Sequence, residues 1–155
     1  MSLNRAVMRA LDRFARNSKL LYLLDRAGLE QLAAHGTIEH RDADETIVRQ
    51  GDENGHTFYL IVAGEVRVLV HDVAGPREVA TLDAGNFFGE IGTLTQQPRS
   101  ATVVSQTPVE LVAFQREPVL EVLQDYPSAR EVIGRVGLAR SEENLRGDGL
   151  AEALQ

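Results

Sequence analysis

The hydrophobic residues of this chain change period twice, and those changes limit its architecture more than any other feature. Over the first 35 residues apolar side chains recur at helical spacing: Val7, Met8, Leu11, Phe14 and Ala15 form one stripe, followed by Leu20, Leu21, Leu23 and Leu24, then Leu29, Leu32 and Ala33. Two short helices with a break near Asn17–Ser18 are predicted, and Gly36 ends the second. From Thr37 to Phe114 the apolar residues come instead in short bursts: Thr46–Val48, Phe58–Val62, Val66–Val70, Val79–Leu82, Thr102–Val104 and Leu111–Phe114. Turn chemistry separates them, at Gly51-Asp52, Glu53-Asn54-Gly55, Ala63-Gly64, Ala74-Gly75-Pro76 and Asp83-Ala84-Gly85. This is the cadence of a small antiparallel barrel or jelly roll. After Arg116 the helical period returns with Val119, Leu120, Val122 and Leu123, and a second helix is expected from about Ser128 to Leu145, weakened by Gly134 and Gly137. The order is helices, β-roll, helices: an α+β fold.

A chain of 155 residues has room for one domain of ordinary size, and no repeat or linker divides it. The expected divisions are N-terminal helices over 1–36, the roll over 37–115, C-terminal helices over 116–146 and a tail over 147–155. With no cysteine, disulfide frameworks, thiol catalysis and cysteine-bound metals are excluded. No apolar run approaches the about 20 residues needed to span a bilayer, and Met1 to Arg16 interleaves charges with apolar residues, unlike a signal peptide, so the default compartment is the cytoplasm. A net charge of −7 gives duplex DNA no electrostatic reason to bind, and neither nucleic acid nor membrane is expected as a partner. The four histidines, His35, His40, His56 and His71, lack the H-x-H spacing of a metal-binding cupin, and no metal or cofactor is expected. No nucleophile elbow or Walker loop is present, so no enzyme activity is expected.

One stretch interrupts the strand cadence without being an ordinary turn: F-G-E-I-G-T-L-T-Q-Q-P-R-S-A-T-V, from Phe88 to Val103. Gly89, Glu90 and Ile91 open a predicted short helical turn, whose free backbone N–H groups suit an anion. Pro98 ends that turn and precedes Arg99, whose guanidinium fork suits a phosphate. Glu90, an acceptor only, suits a sugar hydroxyl. Acid for hydroxyl and arginine for phosphate describe a nucleotide whose ribose and phosphate are held compactly together.

These residues resemble the phosphate-binding cassette of the cyclic nucleotide-binding domain, found in bacterial catabolite activators, protein kinase regulatory subunits and cyclic-nucleotide-gated channels. I-V-R-Q-G-D, Ile47 to Asp52, and F-Y-L-I-V-A-G-E-V-R-V, Phe58 to Val68, resemble that family's glycine-punctuated strands, and the similarity extends over residues 20–145. The resemblance implies an eight-stranded antiparallel β-roll, flanked by N-terminal helices and C-terminal lid helices, with a short helix in the cassette. It implies that Glu90 binds the ribose 2′-hydroxyl and Arg99 the cyclic phosphate. Phe88, Gly89, Ile91, Gly92, Pro98, Ser100 and Ala101 complete the implied ligand site. Arg140 and Asn144 are the nearest positions for a base-capping residue from the last helix. Three positions depart from the pattern: Gly92 stands where alanine or serine is favoured, Thr93 where an apolar residue is common, and Asp44 where a turn glycine is usual.

The chain ends within about ten residues of its last helix, without the helix-turn-helix that a catabolite-type regulator carries there. The expectation is therefore a stand-alone sensor of a cyclic nucleotide, cyclic AMP rather than cyclic GMP, that passes occupancy to an unidentified protein partner. Homodimerisation through the terminal helices is compatible with this layout. The competing expectation is a scaffold of the same fold that binds its partner without ligand, against which intact Glu90 and Arg99 argue.

Overall fold

The computed structural model describes residues 5–18, 20–52, 57–89 and 101–132. It begins with helix α1, Arg5–Phe14, whose face of Val7, Met8, Ala10 and Leu11 is buried. Between α1 and helix α2, Arg26–Ala34, the expected simple break is occupied by a 3₁₀ turn, Leu21–Leu23. Ser18 Oγ accepts the Leu21 N–H at 3.2 Å, which starts that turn and lets Leu20, Leu21 and Leu24 all reach the core. The leucine run is too short and too uniformly apolar for one amphipathic helix, and the tighter turn buries three of its members.

Among the described residues eight strands follow in two antiparallel sheets: β1 Gly36–Arg41, β2 Thr46–Val48, β3 Thr57–Ala63, β4 Val66–Asp72, β5 Gly75–Leu82, β6 Phe87–Phe88, β7 Thr102–Ser105 and β8 Val109–Gln115. The spatial orders are β1-β8-β3-β6 and β2-β7-β4-β5. The expected β-roll flanked by helices is therefore the observed architecture. Gly75 and Pro76, expected in a turn, open β5 instead, with Pro76 opposite His71. Among the described residues β5 is the last strand of its sheet, and prolines within sheets are confined to such edge strands, to the start of a strand or to bulges.

The first sheet is apolar on both faces. Phe58, Leu60, Val62, Val112 and Phe114 pack against the buried faces of the helices, while Tyr59, Ile61, Leu111 and Ala113 fill the interior of the roll with Val48, Val66, Val103 and Val109. Consecutive buried residues along β3 thus report a sheet covered on each side rather than a half-exposed strand. Asp44, at the position where the family favours glycine, has φ +63°, in the left-handed region that aspartate enters more readily than most residues. Its N–H donates to the Ser105 carbonyl at 2.7 Å and its carboxylate accepts from Arg67 at 3.3 Å. Helix α3, Arg116–Leu123, then buries Val119, Val122 and Leu123. Residues 127–132 are again helical, opening at Pro127, where a missing N–H costs nothing. The second C-terminal helix expected from Ser128 is thus seen at its start.

Candidate functional site

The cassette leaves one sheet and enters the other. Its entry strand β6 pairs with β3, Phe88 opposite Tyr59 and Phe87 opposite Leu60. Its exit strand β7 pairs with β2 and β4, Val103 opposite Val48 and Thr102 opposite Leu69. Of the site residues expected from the sequence, Phe88, Gly89 and Ala101 lie at these two ends. Glu90, Ile91, Gly92, Pro98, Arg99 and Ser100, and the base-capping candidates Arg140 and Asn144, lie outside the described residues.

The entry is held from two directions. Phe88 is 2% exposed and stacks on Tyr59 inside the roll, with centroids 4.9 Å apart. Its neighbour Phe87 points to the opposite face, stacks on Phe58 at 4.8 Å, and packs against the core formed with the helices. Two adjacent aromatic rings therefore anchor the strand in both layers, and such stacking adds about 0.5–1.5 kcal/mol per pair beyond area burial. Phe88 is thus held within the roll. Gly89 follows with φ +87°, a conformation that a side chain would strain, so the chain turns off the sheet at the one residue able to do so cheaply.

At the exit, Ala101 is 8% exposed and packs with Val70 and Val79 in a small apolar cluster beside Val68. Thr102 Oγ1 accepts the Gln50 N–H at 2.9 Å. The Gln50 side chain bridges to β4, its amide oxygen accepting from His71 N at 2.8 Å and its amide nitrogen donating to the His71 carbonyl at 3.1 Å. One glutamine thus ties the strand end after β2 to the cassette exit itself and to β4. In the sequence Gln50 falls in I-V-R-Q-G-D and Val70, Val79 and Thr102 in separate strand bursts, with no local pattern linking them to the cassette exit.

The residue joining α3 to the helical residues 127–132 is tied to the N-terminal helices. Asp25 caps α2, its carboxylate accepting the Gly28 N–H at 2.9 Å and the Tyr126 hydroxyl at 2.5 Å. The Tyr126 hydroxyl, with help from the Gly28 N–H, holds the Asp25 carboxyl below the usual range, and the same bond raises Tyr126. Among the described residues no group of three or more histidine, aspartate or glutamate side chains is placed to hold a metal, and no helix is long and apolar enough to cross a membrane.

Residues 38–126, more than half of the chain, match the cyclic nucleotide-binding domain family. The chain belongs to that family. That family is regulatory rather than catalytic, and the matched residues include Gly89 and Ala101. The domain is similar to a cAMP-dependent protein kinase regulatory subunit of Colletotrichum orbiculare, at 33% identity over 113 residues, covering 70% of this chain and 28% of that protein. It is similar to the cGMP-dependent protein kinase egl-4 of Caenorhabditis elegans, at 30% identity over 131 residues, covering 77% of this chain and 17% of that protein. The chain thus spans less than a third of these curated relatives. Among solved structures, the regulatory domain of Toxoplasma gondii PKA with cAMP superposes with a TM-score of 0.73 at 26% identity, covering 80% of this chain and 47% of that one.

Proposed function

We propose that residues 1–155 act as one sensing unit that binds a 3′,5′-cyclic nucleotide, cyclic AMP in preference to cyclic GMP, and reports occupancy to a protein partner through the C-terminal helices. The observation that carries this reading is the family match over 38–126, which includes Glu90 and Arg99 between the two anchored cassette ends. In this reading Arg99 forks onto the cyclic phosphate, with backbone N–H groups of Gly89, Ile91 and Gly92 beside it. Glu90 accepts the 2′-hydroxyl, and Ser100 and Ala101 complete the far end. Arg140 or Asn144 meets the base, and an asparagine amide fork suits the adenine edge. Ligand binding shifts the population of a closed arrangement by its differential affinity for that state.

Isothermal titration with cyclic AMP, cyclic GMP and a cyclic dinucleotide tests the reading, and tighter binding of cyclic GMP overturns the base preference. Arg99→Ala is expected to weaken cyclic AMP by about thirtyfold to a thousandfold with the fold retained. Glu90→Gln is expected to weaken cyclic AMP but leave its 2′-deoxy analogue nearly unchanged. Absence of binding by the wild-type protein overturns the whole assignment in favour of a ligand-independent scaffold.

A further inference from the structure

Helix α1 carries Arg5, Arg9 and Arg13 at successive four-residue steps, with Arg16 in the turn that follows, and all four are exposed. At about 100° per residue, the three helical arginines centre on the face opposite Val7, Met8, Ala10 and Leu11, which is buried in the core. The only acid on the helix, Asp12, is committed elsewhere: both its oxygens accept from Arg26 Nη1 of α2, at 3.1 and 3.3 Å. Among the described residues none of the four arginines forms an ion pair; Arg13 lies over its neighbour Phe14, 5.3 Å from the ring centroid. Among the described residues the fold thus leaves a row of guanidinium groups on this face without ion-pair partners. That row belongs to a chain whose net charge is −7.

We infer that this row is a docking surface for an acidic helix of a protein partner. The reasoning is geometric and electrostatic. Four residues of helix rise roughly 6 Å, so acidic side chains at the same four-residue spacing on a facing helix repeat with the arginines, and each fork meets one carboxylate in two-pronged fashion. Arg5 to Arg13 spans only about 12 Å. A membrane surface or a duplex extends far past that length and meets the negative remainder of the protein, whereas a single acidic helix does not. The apolar side of α1 is already buried, so the helix has nothing to insert between lipids.

The test uses the whole protein and a fluorescent alanine-based helical peptide with glutamates at every fourth residue, compared with a peptide of identical composition whose glutamates are scattered round the helix. Phosphatidylserine–phosphatidylcholine vesicles and a short DNA duplex are titrated in parallel. The in-register peptide is expected to bind best, to weaken as salt rises, and to lose about tenfold in affinity with Arg5→Glu/Arg9→Glu. That pair leaves the Arg13–Phe14 contact intact, and an unchanged melting curve confirms that it folds. A second variant, Arg9→Gln/Arg13→Gln, should weaken binding by a smaller factor. Equal binding of both peptides, tighter binding of vesicles or duplex, or unchanged affinity in the reversed variant overturns the inference.

Discussion

Thr102→Val separates the local tie at the cassette exit from the general stability of the roll. The Thr102 side chain is 6% exposed and its hydroxyl accepts the Gln50 N–H at 2.9 Å. Valine keeps the shape and removes the acceptor. A buried donor left unpaired costs about 1–3 kcal/mol, and because Gln50 is only half-buried the lower end applies. The extra methyl returns up to about 0.8 kcal/mol. The two nearly cancel, so the melting temperature should fall by less than about 4 °C. The Gln50 amide, in contrast, should lose about fivefold in protection against hydrogen exchange, the equivalent of about 1 kcal/mol. Thr102→Ser gives the crossed pattern: it keeps the acceptor and the amide protection but forfeits a buried methyl, so it melts lower by more than the valine variant. If the ligand site is as proposed, only the valine variant weakens cyclic AMP appreciably. Wild-type exchange at Gln50 in Thr102→Val, or equal acceleration in both variants, would refute the tie.

Tyr126→Phe removes the largest cause of the depressed Asp25 carboxyl. The stability from that bond is fully present above the ordinary carboxylate range and is lost as pH falls through the depressed folded value. Melting curves of wild type and variant should therefore differ most near neutral pH and converge in strong acid; a constant gap would refute the assignment. Gly28→Ala should mimic this variant, because a Cβ there would sit 2.7 Å from the Tyr126 ring and push it off Asp25. Ser105→Ala should cost about 1–3 kcal/mol, read as a lower urea midpoint with unchanged slope. The Ser105 hydroxyl, fully buried, accepts the Glu45 N–H at 2.9 Å and donates to the Asp42 carbonyl at 2.5 Å.

Much of the roll was legible because Phe58–Val62, Val66–Val70 and Leu111–Phe114 are dense apolar bursts bounded by turn residues, and all three lie in strands. β1 was harder to read: Thr-Ile-Glu-His-Arg buries little beyond Gly36, being an edge strand held by pairing with β8 rather than by its own side chains. β6 has only two residues, below any detectable period, and both are apolar because each faces a different layer. Within the site, the glycine that turns the chain off the sheet was visible at Gly89. Gln50 and Thr102 meet across 52 residues, and Asp25 and Tyr126 across 101. Such pairs exist only once the sheets and helices are stacked, so no local pattern announces them.

Pro76 bears on how copies of this protein behave when crowded together. Among the described residues β5 closes the second sheet, and the outermost strand of a sheet is where another chain can add and seed aggregates. A proline in that strand supplies no N–H and interrupts the template, while the charged neighbours Arg77 and Glu78 discourage an apolar strand from settling beside it. The same residue that looked like turn punctuation therefore disfavours strand addition at this rim, and it steers any association between copies to other surfaces.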